Sequence, residues 1–460
     1  MTYHNGKFHC ALAQYTKLAF HLLDQHVSPS ELSAMSSQWH KWVPVEGLNG
    51  HLYESVQVPM YPEIVRNQLH GSVEFLRCVD ALENNPVTTK HLDQFIGIAL
   101  PDRAHEPSAQ LRGSPQMGAK DYCDHIWKRM ASGNNIFDEA SFEQEYGLLE
   151  KDFYGDDIPV RIIAPLIDFW TNNAVAISND LAIKGLDDCD IGKYLNTQGP
   201  RDRLILGRLE SPPKWSLIHE TQVKKVIGNG PVTRAPYLDR VDEAITALCA
   251  FRAGSFRTTG FFVVSDSIFH QGTLCIGGPE VYWPHGDQLN FNDSMAGKFL
   301  EFFTSLSSAL NGPGKRALGV APRRMRYAAQ RHRAEDRIVD LFIAAEALFL
   351  PKQSAEIRYK FAMRAACLLK STPEERRATF TKMKMAYDIR SALVHGGNPK
   401  YPIEGDRKMT ADAYALYIEN AVFDALHNII DRINSGDGWG EDKHWDTLIF
   451  GFGETANDLA

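Results

Sequence analysis

The sequence predicts a multidomain protein, in which an α+β N-terminal and middle region is followed by an all-α helical bundle. Three observations carry this. The chain has 460 residues, a prior of roughly three domains. Short apolar runs that read as strands alternate with amphipathic helices through the first 310 residues. From Arg323 to Asn434 the strand signals stop, and four helical segments follow one another with short connections.

Residues 1–155 form a mixed N-terminal region, with helices expected around 8–26 and 72–83 and a short strand in HLYESVQVP. PDRAHEPSAQLRGSPQMG, rich in Pro, Gly and polar residues, reads as a long surface loop. Residues 156–310 form an α+β middle domain. DDIPVRIIAPLIDFW opens it, and DRLILGRLE, KWSLIHETQV and GFFVVSDSIF are further strand candidates. AVAISNDLAIKG places two apolar runs around Ser178-Asn179-Asp180, as a hairpin would. YLDRVDEAITALCAF and SMAGKFLEFFTSLSSAL are amphipathic helices. The segment 311–322 is expected to be a linker. Its Gly-Pro-Gly-Lys lacks the preceding strand and the spacing of a phosphate loop.

The bundle, 323–434, is the clearest part. A first helix is expected over about 326–350, with Ile338, Leu341, Phe342, Ala345, Leu348 and Phe349 on one stripe before Pro351. A second spans about 354–370. Ser371-Thr372-Pro373-Glu374-Glu375 is a helix-start signal for a third, which runs to about 395. A fourth runs from about Thr410 to Ile433. Short connections imply an antiparallel arrangement. The tail, 435–460, is acidic with scattered aromatics and either folds back on the bundle or is partly disordered.

Composition narrows the function. The chain is 44% hydrophobic and 23% charged, as soluble globular proteins are. No apolar run approaches bilayer length, and the N-terminus lacks a secretory signal, so the expected location is the cytoplasm, without membrane association. The 7 cysteines are far apart and form no C-x-x-C pair, which argues against disulfide frameworks and zinc sites. Net charge is −8, against a general nucleic-acid binder. Yet 323–434 holds 20 Lys and Arg against 14 Asp and Glu, or +6, which leaves −14 for the rest (−8 minus +6). That asymmetry is what a basic functional module on an acidic carrier would give, and also what a solvated face would give.

Within AYDIRSALVHGG (386–397), Arg390 falls on the apolar stripe of Phe380, Met383, Ala386, Tyr387, Leu393 and Val394. A guanidinium there needs a partner or a shared surface. Glu335, Asp336 and Glu346 on the first helix can supply the partner. On the residues alone, an Arg–Glu pair that fixes bundle register is favoured. His395 lies five residues on, about 140° away in projection. A histidine in a last helical turn is commonly a capping cation, and Gly396-Gly397 can form the left-handed stop.

Arg390-Ser-Ala-Leu-Val-His395 resembles the R-x4-6-H mark of the HEPN superfamily, and the wider segment resembles its Apea-like branch. RHRAEDRIVDLFIAAEALFLP, RYKFAMRAACLL and YDIRSALVHGG support this in that order. The resemblance implies a HEPN helical bundle and a metal-independent endoribonuclease with no cofactor. It implies pairing of two bundles into a homodimer, so that two motifs face each other. Arg390 and His395 would be catalytic, with Ser391, Glu335 and Asp336 as supporting candidates. RNA supplies the 2′-hydroxyl nucleophile, imidazole as a residue type titrates near neutral pH, and arginine can fork onto phosphate. Arg323, Arg324, Arg326, Arg331 and Arg333 are candidates to guide the RNA backbone, with solvated charge as the equal alternative. The implied setting is abortive infection in bacterial antiphage defence, acting on cellular RNA such as tRNA. A phage-derived trigger or a regulatory protein would be the further partner.

Two other readings stand beside it. One is a non-catalytic HEPN dimerisation or scaffold module in a defence or toxin–antitoxin complex. The other is a metal-dependent hydrolase using His270 or His285 with Asp287 and Asp293, whose spacing matches no defensible ligand pattern.

Overall fold

The computed structural model describes residues 3–28, 31, 40–44, 53–57, 61–92, 94, 96–98, 112–113, 117–131, 136–188, 190–192, 209–210, 213–227, 237–252, 254–258, 260–265, 267–270, 274–276, 280–282, 287–311, 318–350, 356–404, 407–436 and 442–450. The chain is mixed α+β with a helical C-terminal region. It divides into two compact units that interleave in sequence. The first comprises Met1–Pro165, Asp180–Arg240 and Gly260–Gly277; the second comprises Leu166–Asn179, Val241–Thr259 and Gly278–Ala460.

In the first unit, helices α1 (Gly6–His26), α2 (Glu63–His70), α3 (Val73–Glu83), α4 (Ala119–Ala131) and α5 (Glu139–Tyr154) pack beside a sheet. Asn5 and Ser72 cap α1 and α3 by accepting the amides of Phe8 and Phe75. Buried Asp124 on α4 accepts from the Tyr15 hydroxyl at 2.7 Å and the Trp127 indole at 3.0 Å, which ties α1 to α4. The central sheet runs Leu274–Ile276, Phe261–Val264, Asp157–Leu166, Trp215–Ile227, Ile96–Ile98, Arg112–Gly113. Leu181–Lys184 also pairs antiparallel with the first half of Trp215–Ile227. Strand Asp157–Leu166 is buried over its last five residues, as its continuous apolar run requires. Strands Val175–Ala176 and Leu181–Lys184 flank Ser178-Asn179-Asp180, where the hairpin was expected.

The expected boundary at 155/156 is not a structural one. Ile96–Ile98 from the N-terminal region hydrogen-bonds to Lys225–Ile227 from the middle region, so the two share one sheet. The middle region is itself divided. Its helices α6 (Tyr237–Phe251) and α7 (Asp293–Asn311) meet the fourth bundle helix within the second unit. There the His427 ring stacks on Phe302 at 4.6 Å and on Phe251 at 6.2 Å.

The second unit continues with α8 (Ala321–Ala329), α9 (Ala334–Phe349), α10 (Ile357–Leu369), α11 (Pro373–Val394), α12 (Ala411–Asn434) and α13 (Asp442–Phe450). The first expected bundle helix is two helices. Gln330 and Arg331 donate to the carbonyls three residues back, tightening the end of α8 before α9 starts at Ala334. Residues 318–322 are not linker: Leu318 and Ala321 are fully buried, and Ala321 opens α8. Helices α10 and α11 form an antiparallel hairpin, with Arg358 paired to Asp388 at one end and Arg376 donating to the Lys370 carbonyl at the other. In the tail α13 folds back, burying Trp445 under the Arg364 guanidinium of α10 at 4.9 Å. The long loop of 101–118, DRLILGRLE except Leu209-Glu210, and residues 451–460 fall largely or wholly outside the described residues.

Candidate functional site

Helix α11 carries the candidate site, and its two ends follow from local chemistry. Thr372 is the N-cap. Its hydroxyl oxygen accepts the Glu375 amide at 3.3 Å and donates to the Glu375 carboxylate at 2.8 Å, and Pro373 takes the first helical position. These contacts hold the Glu375 carboxyl below its ordinary pKa. At the other end Gly397 N–H donates to the Ala392 carbonyl at 2.7 Å, and Gly396 N–H donates to Leu393 at 3.5 Å. Gly396 has φ +70°, the left-handed residue of a Schellman stop. His395 is the C-cap and is exposed.

Arg390 lies one and a half turns earlier and points the other way. The buried residues of α11 are Thr379, Met383, Ala386 and Ile389, and Arg390 borders that face. Its Nη2 is 3.4 Å from Glu346 Oε2 of α9, and the two side chains are 23% and 25% exposed. Its Nε is buried without a partner among the described residues. Burial pushes the Glu346 carboxyl up, and the Arg390 guanidinium opposes that shift. The arginine is therefore partly satisfied, by a carboxylate that pays in desolvation for its position.

Glu346 was one of three acids on the first helix able to pair with Arg390, and it is the one that does. Glu335 and Asp336 are exposed in the first turn of α9, eleven and ten residues before Glu346, or about 15 Å along the axis. They are not brought to Arg390. Ser391 is partly buried beside Arg390, and its carbonyl accepts the His395 amide at 3.1 Å. Val394, placed on the apolar stripe by sequence, is 48% exposed, because α11 is leaving the core at its last turn.

The five candidate RNA-guiding arginines separate into two groups. Arg326 is tied inward: its guanidinium donates to Asp242 Oδ1 at 2.9 Å, Glu280 Oε2 at 3.3 Å and the Tyr282 hydroxyl at 3.3 Å. Arg324 and Arg331 both bind buried Asp340, at 3.1 and 2.8 Å. Arg324 and Arg331 thus clamp the α8–α9 junction, and Arg326 ties α8 to α6 and to the strand Glu280–Tyr282, which removes all three as free backbone contacts. Arg323 and Arg333 remain exposed.

Sequence reasoning missed a second buried charge pair. Arg337 of α9 and Glu419 of α12 are 6% and 3% exposed, and burial raises the Glu419 pKa to about 7 against the pull of Arg337. The signal was present in the sequence, since Glu419 has Ala415, Val422 and Phe423 at helical spacings i−4, i+3 and i+4 and so falls on an apolar face. In the structure Arg337 Nη2 also stands 3.9 Å from Asp412. The alternative metal set falls partly outside the described residues. Asp287 and Asp293 are exposed, the His270 side chain and all of His285 lie outside the described residues, and no metal-holding group occurs among the described residues. Among the described residues no helix is long and apolar enough to cross a membrane. Compared with protein-family models, curated proteins and solved structures, the chain matches none.

Proposed function

We propose that the helical region is a HEPN-type, metal-independent endoribonuclease acting on cellular RNA in bacterial antiphage defence. The observation that carries this reading is the pairing of an incompletely bonded Arg390 with an exposed His395 at the end of one helix. A buried Nε without a partner is costly in a purely structural arginine and is what a phosphate-binding one would keep in reserve.

In the proposed reaction the RNA 2′-oxygen attacks the adjacent phosphorus and the P–O5′ bond breaks. His395 takes the 2′-hydroxyl proton or supplies one to the leaving 5′-oxygen. Arg390 stabilises charge on the non-bridging oxygens. The products are a 2′,3′-cyclic phosphate and a 5′-hydroxyl. Within one chain the two side chains project about 140° apart. The reading therefore requires a second chain, so that Arg390 of one copy and His395 of the other meet at one phosphate.

The same divergence supports a second reading, in which the bundle is a non-catalytic dimerisation module. Purified protein incubated with total cellular RNA in EDTA separates the two. Cleavage leaving cyclic phosphates, and its loss in both Arg390→Ala and His395→Ala, supports the nuclease. A folded dimer inert toward RNA, with and without extract from phage-infected cells, supports the module.

A further inference from the structure

The solvent face of α11 carries charge that the proposed chemistry has not used. Arg377, Lys384 and His395 are seven and then eleven residues apart, about two and three helical turns, and so lie on one face with Ser391. That face is opposite the buried stripe of Thr379, Met383, Ala386 and Ile389. Arg377 is exposed and Lys384 partly so, and neither forms an ion pair among the described residues. Asp388 shares the face but is neutralised by Arg358 of α10. Glu374, one turn before Arg377, is the other acid at that end, and exposed Lys400 follows beyond His395.

The geometry points to the outer face of α11 as the track for a single-stranded RNA backbone, with Arg377 and Lys384 holding phosphates and His395 at its end. The inference rests on the ribonuclease reading and deepens it. It replaces the arginines that the sequence offered. Arg324, Arg326 and Arg331 have their guanidiniums engaged with carboxylates, whereas Arg377 is exposed, Lys384 is partly exposed, and neither is ion-paired among the described residues. Charge complementarity selects the occupant. Two cations in line, with the carboxylate between Lys384 and His395 already paired, suit an extended polyanion and give no pocket for a base, so binding along the track is indifferent to sequence.

The test is binding of a fluorescent single-stranded 2′-O-methyl oligonucleotide, which keeps the phosphates and lacks the nucleophile, measured over a salt series. An Arg377→Glu, Lys384→Glu double variant is expected to weaken binding about tenfold or more and to lower the log–log salt slope by about 1.4, the value for two phosphate contacts on a single strand. An Arg323→Glu, Arg333→Glu double variant is expected to change little. Tight binding unchanged in the α11 variant, or lost only in the Arg323/Arg333 variant, overturns the track and leaves the nuclease standing. Failure of the parent chain both to bind this probe and to cleave RNA overturns both. Circular dichroism melts of the two variants exclude unfolding, since all four substituted residues are at least partly exposed.

Discussion

A single arginine on an apolar stripe has two physical explanations, a structural pair and a reserved catalytic charge, and Arg390 shows features of both. Its one carboxylate partner stands at 3.4 Å, and its Nε has none. Arg390→Ala removes the guanidinium that holds down the Glu346 pKa, so that carboxyl titrates still higher and takes up a proton instead of remaining as an uncompensated charge. The variant is therefore expected to fold, with a melting temperature near that of the parent at pH 5 and a growing deficit at pH 8. The second buried pair gives a cleaner titration. The Glu419 carboxyl goes from 4.5 when unfolded to about 7 when folded. A raised folded pKa contributes stability that is complete below 4.5 and lost as pH rises through 7, about 3 kcal/mol at most. Glu419→Gln is expected to shrink the difference in melting temperature between pH 5 and pH 8. An unchanged difference would mean that Glu419 does not titrate in this window. Residue identity was legible at this scale: the candidate acids for Arg390 could be listed from helical spacing. Choosing Glu346 among them required knowing how α9 lies against α11.

Helix ends were the most legible elements, because they depend on a few adjacent residues. Thr372-Pro373-Glu374-Glu375 starts α11 as its chemistry dictates, and Gly396-Gly397 stops it in the expected left-handed turn. Gly396→Ala forces a Cβ into φ +70° and is expected to cost about 1 kcal/mol, read as a lowered melting temperature. If activity falls much more than stability, the turn is positioning His395. The α8–α9 junction was illegible for a corresponding reason. Gln330-Arg331-His332-Arg333 has no glycine or proline to mark a break, and the break is held by Asp340, a buried carboxylate seven to ten residues further on. Asp340→Asn is expected to destabilise the protein by about 2 kcal/mol, below the cost of a fully buried pair because Arg324 and Arg331 both reach solvent. Urea unfolding would measure it. No loss would show that the two arginines only decorate the junction.

At the scale of the whole molecule the charge asymmetry has a partial structural account. Several cations of the +6 segment are internal clamps, as Arg326, Arg324 and Arg331 are, while Arg377 and Lys384 lie on the outer face of α11 and Arg323 and Arg333 are exposed elsewhere. If the proposed site is composite, mixing Arg390→Ala chains with His395→Ala chains is expected to restore part of the RNA cleavage that each lacks alone. Persistent inactivity of the mixture, with subunit exchange shown by mass measurement, would rule out a site shared in this way.

By itself the sequence determined the α+β character, the helical C-terminal region, the ends of most helices and the stretch that bears Arg390 and His395. Each of these is set by hydrophobic period, capping chemistry or a contiguous motif, all of which act over a few residues. Only the tertiary structure decided the rest. It joined Ile96–Ile98 to Lys225–Ile227 across the expected domain boundary, sent α6 and α7 to the helical unit, and gave Arg390 its carboxylate in Glu346. It also divided the arginines into clamps and free charges. Strand pairing, helix packing and ion-pair choice depend on groups far apart in the chain, whose meeting no local pattern encodes.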